Sequence, residues 1–415
     1  MRLVIWLLLL SAVAVLAAGT LGNNNGVVSV YWPPWRLDLS LNLFVLILCA
    51  VGVLAYGVAG AIGRLIGLPQ RAREWRGQQR ERAAQAALRE AQGLLLAGRY
   101  SRAQKAAQRA LEIRAATPEL ARDADFGALA HLLAASSLHR LQDRARRDEQ
   151  LIQAQALAGV QANGSAVGEA ARLMAAEWAV DDRDAQRALD QLQALPAGVA
   201  RRTQALRVRL QAHRLARQPL EALKTARLLA KHQGFTPEAA QGLLRSLAVE
   251  ALDTARDADQ LRRVWLQLDP ADRRDAYVTA RAALRAAAVE APTEARGWLR
   301  PHFEQLTQLG ERERLAVLDA FVAVLPGLPA DWLPLLESAL AALPQDPHLA
   351  YAAGRAMAER QLWGRARRLL EGSSSMPGAE PGLRRDAWRS LAAIAEAEGN
   401  HELAQRCYTS AARIA

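Results

Sequence analysis

Two long apolar runs open the chain, and a helical alternation of apolar and polar positions follows them to the end. Residues 3–21 contain no charged side chain, and neither do residues 41–63. Each run is long enough to cross a bilayer at a rise of about 1.5 Å per residue. The pattern therefore predicts a membrane hairpin over residues 1–63, with spans at 3–21 and 41–63.

Residues 22–40 form the loop between the two predicted spans. The loop opens with a polar turn at 22–26 and continues with a short β-like run over 27–31. Trp32-Pro33-Pro34-Trp35 comes next and breaks any helix, because proline lacks the backbone N–H. One alternative for the first span is a cleavable signal peptide, since Arg2 and the small residues 17–19 fit that pattern.

Arginine asymmetry orients the predicted hairpin. The loop carries one arginine, whereas residues 64–84 form a basic juxtamembrane segment, so the second span should have its C-terminal end in the cytoplasm. The loop would then be periplasmic and both termini cytoplasmic. Aromatic and basic side chains next to the spans are expected to anchor them at the lipid interfaces. These expected anchors are Trp32 and Trp35 on the outer side, and Arg64, Arg71, Arg73, Trp75 and Arg76 on the inner side.

From residue 85 onward the chain predicts a helical-repeat domain that runs to residue 415. Tetratricopeptide (TPR) units of about 34 residues pair two helices, with small residues at their contact and glycine at their turn. The last unit matches with Trp388, Leu391, Ala392, Gly399, Ala404, Tyr408 and Ala411. The first matches with Ala91, Gly98, Tyr100, Ala103, Ala107 and Ala110, and a third with Gly354, Trp363, Ala366 and Leu370.

Weaker copies of the unit run through residues 173–192 and 206–229. From 235 to 343 the pattern stays helical with breaks at Asp269-Pro270, Ala291-Pro292 and Leu325-Pro326, but its register is degenerate. We therefore predict an all-α chain, with two transmembrane helices followed by a TPR-like α-solenoid of about eight or nine helix pairs. A generic Ala/Leu-rich bundle is the alternative; a coiled coil fits less well, since Pro and Gly interrupt every heptad run.

Composition agrees with this helical prediction and offers no catalytic motif. Aromatic residues make up only 5% of the chain, and the net charge of +11 comes mostly from arginines scattered among acidic residues. No nucleic-acid motif accompanies that charge, so no nucleic-acid partner is expected. Two cysteines and seven scattered histidines supply neither a zinc pattern nor a haem-attachment motif. We expect neither an enzyme nor a bound metal or cofactor.

Stacked helix pairs instead provide a concave groove, lined by fixed positions of the first helix of each unit. The residues at those positions are Arg207, Gln211 and Arg214 in one unit, Tyr351 and Arg355 in a second, and Arg389 in the last. A groove rich in arginine favours an acidic partner, such as a peptide carboxylate or a propionate-bearing ligand. An earlier unit argues against this, because its equivalent positions hold Ala170, Met174 and Glu177.

The ordered combination of features resembles the HemY family of proteobacterial inner-membrane proteins. The features are Met1-Arg2 before the first span, two spans with a loop of about twenty residues, the basic run with Trp75-Arg76-Gly77 and Arg80-Glu81-Arg82, the first unit with Leu94, Gly98, Tyr100 and Ala103, and the degenerate TPR array. The flavin-dependent protoporphyrinogen oxidase that shares this name is a different protein, and its dinucleotide fingerprint is absent here.

The resemblance implies a bacterial inner-membrane protein that acts in a late step of protohaem synthesis as an organiser of protein partners, such as ferrochelatase. It implies no catalytic residues. Two alternatives remain open: a TPR adaptor in envelope or lipopolysaccharide assembly, and a carrier that binds haem or porphyrin. A carrier would need an axial ligand, and His213 on a first-helix face is the candidate.

Overall fold

A computed structural model describes residues 26–159 and 165–414, so the predicted first span at 3–21 and the polar turn at 22–25 lie outside the described residues. The described chain begins with a two-stranded antiparallel hairpin, β1 at Val27–Trp32 and β2 at Trp35–Ser40. The predicted β-like run is therefore a strand. The sequence pattern did not reveal its partner β2, because Arg36 and Asp38 interrupt the apolar positions there.

Helix α1 runs from Leu41 to Leu96 without interruption. At 1.5 Å per residue its 56 residues extend over about 84 Å. Leu41–Gly60 is, among the described residues, the one helical segment long and apolar enough to cross a membrane. Because α1 passes through residues 63 and 84 as regular helix, the division into hairpin, juxtamembrane segment and repeat domain remains a prediction from composition.

The remaining helices follow one another along the chain, separated by turns and short loops. They are α2 Tyr100–Ala115, α3 Pro118–Ala121, α4 Ala124–Arg140, α5 Arg144–Ala158, α6 Ala166–Asp181, α7 Ala185–Gln193, α8 Ala197–Ala200, α9 Thr203–Leu215, α10 Pro219–Lys231, α11 Pro237–Asp253, α12 Ala258–Gln267, α13 Pro270–Arg273, α14 Ala276–Ala288, α15 Pro292–Glu304, α16 Glu311–Ala323, α17 Leu333–Ala342, α18 Pro347–Glu359, α19 Trp363–Ser375, α20 Pro381–Ala397 and α21 His401–Ala412. Single 3₁₀ turns lie at Leu306–Gln308 and Ala330–Trp332.

Successive long helices of the described chain pack against each other in pairs, which confirms the predicted TPR-like, all-α fold. Among these pairs are α1/α2, α6/α7, α9/α10, α14/α15, α18/α19 and α20/α21. The chain divides into two compact units, Met1–Arg147 and Asp148–Ala415. The three predicted breaks of the degenerate interval all fall between helices.

Eight turns of the described chain share one helix-ending geometry. In each, one residue adopts a positive φ, and the next residue donates its N–H to the carbonyl five positions earlier at 2.8–3.0 Å. This is the Schellman ending, which glycine favours because it has no Cβ. The positive-φ residues are Gly98, Gln142, Arg183, Arg217, Gln233, Glu290, Gln361 and Gly399. Glycine thus marks only two of the eight turns, and the other six share their backbone without that sequence signal.

Small residues lie where paired helices touch, as predicted for the first and last units. Ala91, Ala103 and Ala107 are fully buried in the first unit, and Ala392 and Ala404 are buried in the last. The degenerate interval adds large side chains to its buried alanines. There the Phe303 ring packs against Phe321 at 4.6 Å and Trp332 at 5.3 Å between centroids. The TPR pattern does not predict this aromatic core.

Candidate partner-binding site

The first candidate site is one face of α9. Arg207, Gln211 and Arg214 recur four and three residues apart and are all exposed, whereas Leu206 and Leu210, which directly precede Arg207 and Gln211, are buried. The helical period of 3.6 residues places the three exposed side chains on one face and separates the two arginines by about 10 Å along the axis. We call Arg207, Gln211 and Arg214 the α9 face.

The charge of the α9 face is not neutralised by its neighbours. Residues 191–220 contain six arginines and no aspartate or glutamate. Arg202 pairs with Glu169 at 3.2 Å, but neither Arg207 nor Arg214 has an ion-pair or hydrogen-bond partner within the described ranges 26–159 and 165–414. Two cations thus face solvent with their hydrogen-bond donors unused, which suits an anionic partner.

The acidic residue that argued against an anionic groove is already engaged. Glu177 of α6 accepts a hydrogen bond from the side chain of Gln204 of α9. Ala170 and Met174 on the same helix are partly buried. The neighbouring helix therefore presents one hydrogen-bonded carboxylate beside the α9 face rather than a competing acidic surface.

His213 does not have a free imidazole. Its Nδ1 lies 3.0 Å from Oε1 of Gln218. His213 is partly buried and directly precedes Arg214, so it is not one of the exposed residues of the α9 face. No group of three or more His, Cys, Asp or Glu side chains arranged for a metal ion occurs among the residues that the structure describes.

The second candidate site is a cleft of about 580 Å³ between α18 and α20. It brings together three residues that the sequence analysis assigned to two different units, Tyr351, Arg355 and Arg389. Arg355 Nη1 donates a hydrogen bond to Tyr351 Oη at 3.1 Å. Arg389 lies 3.3 Å from Oδ1 of Asp386 in a solvent-exposed pair, which adds little stability.

Apolar side chains also line this cleft, and the sequence pattern did not identify them. Leu325, Ala358, Trp363 and Ile394 line it together with the exposed carboxylate of Glu359. Glu359 accepts the backbone N–H of Gly327 at 2.9 Å, which joins it to the preceding unit. Trp363 was visible in the sequence only as a repeat position, since nothing in the sequence shows that it borders a cleft.

The six predicted groove residues therefore fall into two separate sites. The α9 face and the cleft between α18 and α20 are separated along the chain by helices α10 to α17. The α9 face has uncompensated charge. The cleft has a cavity whose two arginines are accompanied by Glu359 and Asp386, so its charges balance.

The described anchor candidates are solvent-exposed. Trp32 and Trp35 lie at the tip of the β-hairpin, and Trp75 and Arg76 lie on α1. Trp75 follows Gly60 by fifteen residues, or about 22 Å of helix. The side chains of Arg64, Arg71 and Arg73 lie outside what the structure describes, although the α1 backbone is helical there. The anchoring role of all seven residues remains a prediction.

Comparison with known proteins gives one family match. The family described as HemY protein N-terminus matches residues 26–142, which include the β-hairpin, α1, α2 and α4. No curated protein matches the chain.

Among solved structures, the chain is similar at low scores to three proteins. The first is the APC/C hetero-tetramer Cut9-Hcn1, at 17% identity and a TM-score of 0.27, over 78% of this chain and 65% of that one. The second is Naa15/Naa10 bound to HypK-THB, at 12% identity and a TM-score of 0.25, over 76% of this chain and 56% of that one. The third is the P58(IPK) TPR domain, at 13% identity and a TM-score of 0.22, over 80% of this chain and 99% of that one. The chain spans less than two thirds of the length of the first two structures.

Proposed function

We propose that this chain, whose residues 26–142 match the family described as HemY protein N-terminus, is a membrane-anchored, non-catalytic TPR scaffold that binds protein partners. The observation that carries the proposal is the α9 face, where two arginines on a first-helix surface have no partner in the described chain. Helix pairs of this kind use their first-helix faces to bind extended segments of other proteins.

Membrane anchoring is supported by the continuity of α1. Leu41–Gly60 has the length and apolarity of a span, and the same helix supplies the buried residues Ala84, Ala87 and Ala91 to the first unit. No flexible linker therefore separates the apolar segment from the scaffold. We propose a bacterial inner-membrane location with two spans and both termini in the cytoplasm, from the arginine asymmetry of residues 64–84.

The spacing of the α9 face indicates the chemistry of its partner. Arg207 and Arg214 are about 10 Å apart along the helix axis. In a peptide of polyproline II conformation, residues three apart share one face and are separated by about 9 Å. Two carboxylates three residues apart in such a segment would therefore each meet one guanidinium. The amide of Gln211, between the two arginines, can bond the peptide backbone in either direction.

Peptide binding to the full-length protein in detergent tests this site. The probe is a fluorescein-labelled Gly/Ser peptide with two glutamates three residues apart, and the same peptide with glutamines in their place is its neutral match. Arg207→Glu combined with Arg214→Glu should weaken binding of the acidic peptide by about tenfold or more, since charge-assisted hydrogen bonds contribute about 1.5–3 kcal/mol each.

The matched control makes the same charge change on second helices instead of on a first-helix face. Lys231→Glu with Arg263→Glu alters two exposed cations on α10 and α12 and should leave binding unchanged. Equal weakening by both double variants would mean that only net charge matters. Equal affinity for the acidic and neutral peptides would show that the site does not recognise carboxylates, which contradicts the proposal.

The biological role that we propose is organisation of enzymes in a late step of protohaem synthesis, with ferrochelatase as a partner. The support is the match of residues 26–142 to the family described as HemY protein N-terminus. Crosslinking of the full-length protein in native membranes, followed by mass spectrometry, tests it, with the Arg207→Glu, Arg214→Glu variant as a comparison. Enrichment of late haem enzymes that the variant loses would support the role. Enrichment of envelope-assembly proteins, with haem enzymes at background, would overturn it.

A further inference from the structure

The pairing of β1 with β2 sorts the hairpin side chains onto two different faces. Opposed residues in an antiparallel pair share a face, and successive residues along a strand alternate between faces. One face carries the opposed pairs Val27 and Ser40, Ser29 and Asp38, and Tyr31 and Arg36. The other carries Val28 and Leu39, Val30 and Leu37, and Trp32 and Trp35. The second face is entirely apolar.

The polar face satisfies its own groups. The Ser29 hydroxyl donates to Asp38, and Arg36 Nε lies 3.1 Å from Oδ1 of the same carboxylate. The Arg36 guanidinium also lies over the Tyr31 ring, 5.3 Å from its centroid. These contacts lower the pKa of Asp38, the Ser29 hydrogen bond most and Arg36 next. The charges of the hairpin therefore pair within one face and leave the other without any.

The apolar face is open to solvent in the chain alone. Trp32 and Trp35 are 77% and 74% exposed, and Leu37 is 55% exposed. Val28 and Leu39, nearest the helix, are partly buried. A two-stranded hairpin without a packing partner is marginally stable in water. This hairpin therefore needs a cover for its apolar face.

The attachment of the hairpin to α1 identifies that cover. β2 ends at Ser40, whose hydroxyl accepts the N–H of Leu43 and so caps α1. The Leu41 N–H donates to the Gly26 carbonyl at 2.9 Å, which ties the beginning of β1 to the same point. The open end of the hairpin is thus held where the apolar segment Leu41–Gly60 begins, and no residue separates the two elements.

We infer that the hairpin lies on the bilayer surface where α1 enters it, with Val28, Val30, Trp32, Trp35, Leu37 and Leu39 turned into the lipid interface. Tryptophan is enriched at that depth because its ring is apolar and its N–H is polar. The polar face, with its paired Asp38 and Arg36, then faces water. This inference rests on the membrane anchoring proposed above.

Site-directed spin labelling of the full-length protein in nanodiscs tests the inference. In a background of Cys49→Ala and Cys407→Ala, nitroxides are placed at Leu37→Cys on the apolar face and Arg36→Cys on the polar face. A third label at Leu54→Cys, exposed within the span, is the lipid reference. Accessibility to oxygen reports lipid exposure, and accessibility to a water-soluble nickel chelate reports exposure to water.

The expected result is an oxygen-to-nickel ratio at position 37 that is severalfold above that at position 36 and below that at position 54, which lies deeper along α1. Nickel access at 37 equal to that at 36 would place the hairpin in water and overturn the inference. Protection of 37 from both reagents would mean that protein covers the face, which also overturns it. Nickel access at position 54 would overturn the membrane anchoring itself and is distinguishable from the other outcomes.

Discussion

Gly354 of α18 and Leu370 of α19 meet with no space for a side chain between them. A β-carbon built on Gly354 lies 2.8 Å from Cγ of Leu370 and 3.0 Å from its Cδ2. Leu370 is itself fully buried, so it has no room to move away. The close approach of this helix pair therefore depends on the hydrogen atom at position 354.

Gly354→Ala should destabilise the α18/α19 pair by about 1–3 kcal/mol, because an added methyl group overpacks the contact with Leu370. Faster hydrogen–deuterium exchange of the α18 and α19 amides in the full chain is the measurement. Gly242→Ala is the control, since that glycine lies within α11 with no atom near its missing Cβ. Alanine there should stabilise the helix by about 0.5–1 kcal/mol. Slower exchange in both variants would contradict the tight contact.

Gln361→Gly should stabilise the same pair by up to about 1 kcal/mol. Gln361 has a φ of +59° at the turn between α18 and α19, where a side chain is strained and glycine is not. Thermal unfolding of the full chain, followed by circular dichroism, should show a higher midpoint. Gln405→Gly changes an exposed residue inside α21 in the same way and should lower stability by about 1 kcal/mol. A lower midpoint for Gln361→Gly would mean that the turn tolerates glutamine without strain.

Arg296→Met should destabilise the degenerate interval by about 2–4 kcal/mol. The buried Arg296 guanidinium donates from Nη1 to the carbonyls of Val324 and Pro326, both at 2.8 Å, beyond the end of α16. Burial lowers the pKa of Arg296, but arginine remains charged at neutral pH. Replacing Arg296 by methionine therefore leaves the carbonyls of Val324 and Pro326 without this hydrogen-bond donor.

Urea unfolding of the full-length protein in detergent measures the effect of Arg296→Met. The control is Arg300→Met, one turn further along α15, because Arg300 forms an exposed ion pair with Asp331. Such a pair contributes about 0–1 kcal/mol. Similar losses for the two variants would show that the carbonyl contacts of Arg296 do not stabilise the fold.

His302 should make the fold less stable in mild acid. Burial lowers the pKa of His302 from its usual 6.5, although Asp275 and Glu313 act in the opposite direction. Its Nε2 lies 3.0 Å from Oγ1 of Thr279, which itself donates to the Arg273 carbonyl at 3.0 Å. The folded chain therefore holds the imidazole neutral, with its proton on Nε2.

Below a pH of about 6.5 the unfolded chain binds a proton at His302 that the folded chain does not. Stability is thus complete above that pH and falls as the pH decreases below it. Unfolding midpoints measured across this range should decline less steeply for His302→Gln than for the unmodified chain. His401→Gln, at an exposed position of α21, should retain the original slope. An unchanged slope for His302→Gln would contradict the role assigned to burial.

Helical spacing predicts which candidate residues share a helix face, but it does not predict which faces of different helices meet. Helical spacing alone was sufficient to predict that Arg207, Gln211 and Arg214 share a face, because that relation is local to one helix. The meeting of Arg355 and Arg389 in one cleft could not be predicted, since it depends on how α18 packs against α20. The charge balance of that cleft, through Glu359 and Asp386, also follows from packing.

The sequence by itself determined the local elements of this protein: the apolar segment at 41–60, the helix pairs with their small residues, and the turns marked by Gly98 and Gly399. These follow from hydrophobic length, helical period and the conformational freedom of glycine, which are properties of short stretches of chain. Only the tertiary structure decided that α1 is unbroken from the apolar segment into the first unit, that Gln142 and Gln361 adopt the glycine turn, and that the hairpin has one wholly apolar face. Each of these depends on the backbone conformation and hydrogen bonds that the folded chain adopts, and the residue types alone leave these open.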